Sequence, residues 1–573
     1  MANRSPSVRP DPRRRPHALL TAAAVGVLLA AADTYVVVLA LPDMMTGVGL
    51  GVDAMQRATP IVSGFLLGYV ATLPLVGRLA DLVDRRRVLQ GLLAVFLVGS
   101  VVTALAVELP VLVAGRVLQG LGGGGLVPAT LALVAGGWPP DRRGVPLGVV
   151  GAVQELGSVL GPLLGAAVLA VGTWRDIFWL NAVAAVGLWL VVGALAGLGP
   201  RVGMRSLPLL LGLVALALAL WAPPALVTDL TWGWGYVPLG GRARVQTPLG
   251  VAALLLLIVW LLVSWPRWRS LRRELDLVGA GLAATALGCL VLTFATSDPA
   301  VEVVGRTAWW WVPLGLLAAI AYAVRHRTAA RPLVARGVVR GTGLRALVVS
   351  LLVGAALAAV VVDVPVLARL TVAQSQAQAA FVLLRFLVGV PVGALAGGAL
   401  LRRLGPAPVA TAGVALAAVG LADMARWGTG SLATPWSTVS LLVVGLGLGL
   451  AVAPVNAAAL DAVEAAAHGI TSSLVVLARM MGMIAGLALL TAVGLRRFYA
   501  ATAALPDPTD PQALLGAALL QVQTVFWGAA ACCAVAAVVA LTLGGRRTRP
   551  AADGAVPQGT PSTTPRAAAR PDG

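Results

Sequence analysis

The chain is expected to be an all-α polytopic membrane protein, with two six-helix blocks separated by additional helices, and three observations carry that expectation. Hydrophobic residues are 59% and charged residues 11% of 573, with a mean hydropathy of +0.91, which leaves too little polar surface to coat several water-soluble domains. Apolar windows recur along the whole chain, and at about 20 residues per span sixteen of them take up about 320 residues, close to the hydrophobic share. The net charge of +19 has only arginine on its positive side, and those arginines are dispersed between the windows rather than gathered on one polar domain, which points to membrane topology and away from nucleic acid. A soluble enzyme, a disordered regulator and a protein with a single anchor are excluded.

The elements follow in order. Residues 1–17 form a Pro- and Arg-rich tail. The first span, near 18–41, follows it. A charged start, an apolar run and Ala30-Ala31-Ala32 imitate a secretory leader, but the run continues through Tyr35, Val36, Val37 and Val38 and is long enough to be a retained helix. Spans near 58–80, 88–107, 111–135, 144–170 and 177–198 complete the first block, 18–198. A linker over 199–335 holds two hairpins, with spans near 205–222, 247–265, 276–296 and 308–324. The second block, 345–543, has spans near 345–367, 377–400, 407–426, 436–460, 469–494 and 520–543. Residues 546–573, rich in Pro, Ala and Thr, read as a disordered tail. Sixteen is the expected helix count and fourteen the alternative.

Arginines in short loops set the orientation. Arg85, Arg86 and Arg87, then Arg142 and Arg143, Arg201 and Arg205, Arg267 to Arg273, Arg325 and Arg327, Arg402 and Arg403, and Arg546 and Arg547 fall in alternate loops. Those loops, and both termini, are expected on the cytoplasmic side; Arg426, Arg496 and Arg497 run against the pattern. Cys289, Cys532 and Cys533 lie in apolar stretches without disulfide or metal-ligand spacing and read as packing residues.

The two blocks echo each other. Gly120 to Pro128 in the fourth helix of the first resembles Gly445 to Pro454 in the fourth of the second, and Gly77 to Arg87 is loosely matched by Gly397 to Gly405. Duplicated halves imply a pseudo-twofold axis along the membrane normal, with a substrate path between the halves near the midplane.

Ionisable residues in such helices are costly, about 2.5–3.5 kcal/mol each at mid-bilayer, so they need a partner or a use. The candidates are Asp33, Arg116, Glu155, Asp363, Arg385 and Arg479. Glu155 stands between Gln154 and Gly157 in an apolar helix, where loss of water disfavours its charge. A carboxylate so placed can gain and lose a proton, as a proton-coupled carrier requires; the structural alternative is an ion-pair lock, with Arg479 as partner. Asp33, with Thr34 and Tyr35, offers polar groups to a central cavity, or caps a kink. Met480 and Met483 beside Arg479 suit a cavity for a large apolar cargo or simple core filling; Tyr35, Gln154 and Arg385 complete the expected cavity. Gly151, Gly157, Gly161, Pro162 and Gly165 allow close helix approach and a bend.

At this point several motifs resemble a known family. Asp33 to Pro42, Gly77 to Arg87, Arg116 to Gly120, Gly151 to Gly165 and Trp174 to Asn181 are similar, in order, to the motifs of the fourteen-helix drug/proton antiporters of the major facilitator superfamily. Ala152 to Pro162, Gln376 to Ala380, and Ala467 to Ile470 followed by Ala478-Arg479-Met480 resemble its mycobacterial triacylglyceride-exporting branch. The resemblance implies that Asp33, Glu155 and Arg479 are the proton-coupling charges. Gly77, Asp81, Arg85, Arg86 and Arg116 would form a gating motif, with Asp81 at a helix N-terminus. It also implies a bacterial inner-membrane location, membrane-lipid surroundings, and a periplasmic lipoprotein as a partner. The chain departs from the pattern in its extra hairpin at about 205–265, in Arg385, and in Pro365 where a second acid after Asp363 is expected.

The expected function is therefore proton-driven export of a large apolar molecule by alternating access, triacylglyceride-like lipid first and amphipathic drugs second, with no cofactor, no metal and no enzymatic activity. The rivals from other classes are a membrane-embedded lipid-modifying enzyme, for which the sequence offers no metal-ligand cluster, nucleophile motif or long loop able to house a catalytic site, and a non-transporting lipid scaffold or receptor, which would not need paired acids and arginine in the core.

Overall fold

A computed structural model describes residues 16–50, 55–197, 207–229, 231–239, 244–295, 308–334, 337–507 and 510–544. Residues 1–15 of the expected N-terminal tail, the expected C-terminal tail, the arginines at 201 and 205 and the side chains of the arginines from 267 to 273 lie outside the described residues, while Pro16 and His17 already belong to the first helix.

Apolar length makes the helices, and polar caps with Pro or Gly end them. The first six are α1 (Pro16–Gly47), α2 (Met55–Leu82), α3 (Arg85–Leu105), α4 (Leu109–Gly137), α5 (Gly144–Val171) and α6 (Trp174–Ala196). Asp84 caps α3 by accepting the Arg86 N–H at 3.0 Å. Asp176 accepts the Thr173 N–H at 2.7 Å at the start of α6, and Gly197, with φ 65°, ends it in the left-handed conformation that glycine adopts without strain. The stretch that imitates a leader is part of one continuous α1.

The linker holds α7 (Leu207–Trp221), the short α8 (Pro224–Val227), α9 (Pro248–Glu274), α10 (Leu277–Ala295) and α11 (Ala308–Thr328). It forms two hairpins, α7 with α9 and α10 with α11, packed on α3 and α2 respectively. The second group is α12 (Gly341–Thr371), α13 (Gln376–Leu404), α14 (Pro406–Met424), α15 (Pro435–Asp461), α16 (His468–Ala503) and α17 (Pro511–Ala540).

Helices stand at all sixteen expected places, but among the described residues 13 of them are long and apolar enough to cross a bilayer; α7 and the apolar part of α10 are shorter, and α11 is outside that group. The fold is thus all-α and multi-spanning. α16 and α17 overrun their expected limits of 494 and 520. At 36 residues α16 is about 54 Å long by its rise per residue, more than the ~30 Å of bilayer hydrocarbon. Hydropathy windows end where the apolar side chains end, whereas the helix backbone continues through Arg496 and Arg497.

Packing repeats itself. In the first group α1 packs on α5 and α6, α2 on α4, and α3 on α4 and α6; in the second α12 packs on α16 and α17, α13 on α15, and α14 on α15 and α17. Each group surrounds apolar core of its own: Val27, Phe96 and Leu126 in the first, Val360, Phe386 and Phe526 in the second. The groups meet where α2 and α4 touch α16 and where α5 touches α13 and α15.

Candidate functional site

Two buried carboxylate–guanidinium pairs stand in the interior. The first lies within the first helix group. Arg116 on α4 donates through Nη1 to Asp33 Oδ2 on α1 at 2.6 Å, both side chains at most 1% exposed. Asn181 on α6 donates to Asp33 Oδ1 at 2.6 Å, and Gln119 donates to the same oxygen at 3.4 Å and to Ser100 at 2.9 Å. The guanidinium also donates to Gln119 Oε1 at 2.8 Å and lies 4.5 Å from the Phe65 ring centroid. Four helices thus supply the hydrogen bonds that a buried ion pair needs to offset its lost hydration.

The second pair bridges the groups: Arg479 on α16 donates through Nη1 to Glu155 Oε1 on α5 at 3.1 Å, both residues under 9% exposed. It borders a cavity of ≈ 290 Å³ walled by α1, α2, α4 and α5 on one side and α12 and α16 on the other. Gln154, Glu155, Arg479, Met480 and Met483 line it, with Phe65, Tyr69, Leu357 and Val361. Its wall is otherwise nearly all apolar.

Several expected residues lie elsewhere. Arg385 is outside that wall; its guanidinium donates to Thr438 on α15 at 3.1 Å, within the second group. Asp33 faces away from the central cavity into a separate apolar crevice of ≈ 360 Å³ between α1, α5 and α6, because Thr34, its neighbour on the helix, takes the central side. Arg116 is grouped by its motif with Asp81, yet it pairs with Asp33, deep in the helices and away from the α2–α3 loop. The Tyr35 side chain lies outside the described residues. Asp363 is 3% exposed on α12 and is not among the residues lining the central cavity.

At the α2–α3 loop, the end of α2 meets the start of α16. Asp81 accepts the N–H of Gly469 at 2.6 Å and of Ile470 at 3.0 Å, so a carboxylate of one group caps a helix of the other, where the positive end of the helix dipole favours it. Gly77, one turn earlier, allows the approach: a β-carbon there would collide with Ile470 and Ser473. Arg85 lies over Gly136 at the end of α4, and Arg86 contributes its main-chain N–H to the Asp84 cap. A second tie at this end joins Arg143 to Asp461 at 3.5 Å, while Arg143 also donates to the Ala135 carbonyl at 2.7 Å.

The glycines of α5 divide between two neighbours. Gly151 faces Val452 of the second group, whereas Gly157, Gly161 and Gly165 lie against Ala31, Ala32 and Val36 of α1, with Pro162 half-buried among them.

Motif reading did not single out Gln119, Asn181, Tyr69, Arg143 or Asp461 as site residues. Gln119 was signalled by its place three residues after Arg116, on one helix face, and Asn181 and Tyr69 by being polar in apolar runs. Leu357 and Val361 carried no signal, since an apolar residue in an apolar helix looks the same whether it faces a cavity, a neighbour or lipid.

Repeated helix packing around an inter-group cavity, with ionisable groups held in its wall, defines a membrane transport carrier. The chain belongs to the Major Facilitator Superfamily, whose family model matches residues 23–325. It is 37% identical to a triacylglyceride transporter of Mycobacteroides abscessus, over 88% of this chain and 88% of that one. It is 36% identical to a triacylglyceride transporter of Mycobacterium tuberculosis, over 92% of this chain and 94% of that one. Among solved structures, the human organic anion transporter matches with a TM-score of 0.54 at 15% identity, covering 92% of this chain and 99% of that one. The proton:xylose symporter matches with a TM-score of 0.50 at 13% identity over 91% and 94%; both speak to the fold alone.

Proposed function

We propose that this protein is a proton-coupled exporter of a large apolar lipid of the triacylglyceride type. It works by alternating access between two six-helix bundles, α1–α6 and α12–α17, joined by α7–α11, with sixteen spans and both termini in the cytoplasm of a bacterial inner membrane. The observation that carries the reading is the inter-bundle cavity: apolar over most of its wall, with Glu155 and Arg479 as its charged residues and Met480 and Met483 beside them. The parallel packing of the two bundles supports the architecture, and the names of relatives at 36–37% identity support the cargo. A periplasmic lipoprotein acceptor belongs to the same reading.

Asp81 on α16, Gly144 against Gly398 and Arg143 on Asp461 then close the cytoplasmic side. Glu155 and Arg479 hold the bundles in this state. A proton arriving from outside neutralises Glu155 and frees Arg479, the outer side closes, and the Asp81 cap releases. Lipid enters from the inner leaflet; Glu155 then loses its proton to the cytoplasm and pairs again, re-forming the outward state with lipid inside. One proton moving down 100 mV supplies about 2.3 kcal/mol. Asp33 and Arg116 act at one remove, fixing α1 and α4 behind Phe65.

Mass spectrometry of the protein extracted with native lipid tests the cargo, with triacylglycerides expected to be enriched over phospholipids. No enrichment, with proton-dependent dye efflux from proteoliposomes, replaces lipid export by multidrug antiport. Absence of any flux under an imposed pH gradient rejects transport altogether.

A further inference from the structure

We infer that Asp363 is a second proton-carrying acid of the transport cycle, housed in the C-terminal bundle and delivered to the central cavity by a turn of α12. The inference rests on the proposed proton-coupled export and adds to it a site that Glu155 does not provide.

Asp363 is 3% exposed, its Oδ2 is buried without a hydrogen-bond partner, and no ion pair to it exists among the described residues. Asp33, the buried acid on the first helix of the other bundle, accepts from three side chains. An unpartnered charge in an apolar interior is the arrangement proteins avoid, so the neutral acid is the form this environment accepts.

The charged groups on α12 and on the helices packed against it are committed elsewhere, exposed, or at the helix ends. On α13, Arg385 is held by Thr438 and the other two arginines stand in the last turn. On α15 the sole charge is Asp461, its last residue, which is tied to Arg143. On α16, Arg479 pairs with Glu155 and His468 begins the helix, while Arg496, Arg497 and Tyr499, a turn or two past the level of Asp363, are exposed, as are Arg345 and Arg369 on α12 itself. On α17 the titratable side chains are Cys532 and Cys533.

The path to the cavity is short. Val361 and Val362, the two residues before Asp363, line it, and successive residues on a helix are about 100° apart. A turn of that size about the helix axis brings Asp363 to where Val362 stands. Pro365 makes α12 pliable at this point: having no N–H, it leaves the Val361 carbonyl without its helical donor.

The test uses the full chain in proteoliposomes with a fluorescent triacylglyceride as probe, recording protons moved per probe molecule. Asp363→Asn keeps the shape and polarity of a neutral acid, so it is expected to retain the thermal stability of the wild type while the ratio falls by one proton. An unchanged ratio overturns the inference. Glu155→Gln, measured alongside, is expected to abolish both probe flux and the proton movement that accompanies it; if proton movement persists unchanged, the proton-coupled reading itself fails. Should Asp363→Asn not fold, an apolar carbodiimide, which reacts with protonated carboxyls, is applied to the wild type during turnover. A mass-spectrometric adduct at Asp363 is expected, and its absence overturns the inference.

Discussion

Asp33–Arg116 and Glu155–Arg479 are both buried acid–arginine pairs on transmembrane helices, yet their surroundings differ. The first joins helices of one group and is completed by Asn181, Gln119 and Ser100. The second joins helices of different groups and borders open space. Hydrogen bonding and burial surround the first within one group, and the proposed cycle gives it a fixed place there. In the proposed cycle the second sits where the halves separate, and its making and breaking follows their relative motion.

That contrast fixes the order of expected effects. Glu155→Gln is predicted to abolish export at undiminished folded yield, because glutamine can neither give up a proton nor pair again with Arg479; a loss of at least ~100-fold in proteoliposome flux, about 2.7 kcal/mol on the barrier, is expected. Full transport by this variant removes Glu155 from the mechanism. Asp33→Asn is predicted to act on the fold instead, lowering stability by about 3 kcal/mol because Arg116 is left buried without its counter-charge. Thermal unfolding in detergent measures this, and Arg116→Met in the same chain is expected to recover part of the loss. If Asp33→Asn spares stability and blocks transport, the two pairs are alike after all.

Smaller effects are expected further from the pairs. Asp81→Asn keeps a side-chain oxygen at the start of α16 and loses the charge, a change of about 1 kcal/mol, so closure of that end weakens by about fivefold, read as accessibility of a cysteine replacing Ser473, which is buried against Gly77. Arg385→Ala removes one contact to Thr438 and no cavity group; proteoliposome flux is predicted to stay close to wild type, because that contact lies within one helix group and does not cross between the two.

How far the chain could be read in advance follows from the same physics. Spans were legible because each carries about 20 apolar residues, and the charges were legible because a lone ion in such a run is conspicuous. Glu155 with Arg479 was accessible on those grounds even though 324 residues separate them. Which way a side chain faces was not legible: Asp33 and Thr34 are adjacent in sequence and point into different cavities. Arg385 looked equivalent to Arg479, but Thr438, 53 residues away, holds it inside its own group. Helix ends were also hidden, since the polar turns that carry α16 to Ala503 have no hydropathy signature.

The most direct measurement is the spin-label distance between Val145, at the start of α5, and Leu404, at the end of α13, both exposed at the closed end, recorded against pH in wild type and Glu155→Gln. The distance should be short in the wild type at high pH and lengthen on acidification, and it should be long in Glu155→Gln at every pH. Identical distances in the two proteins across the range would mean that the Glu155–Arg479 pair does not hold the halves together.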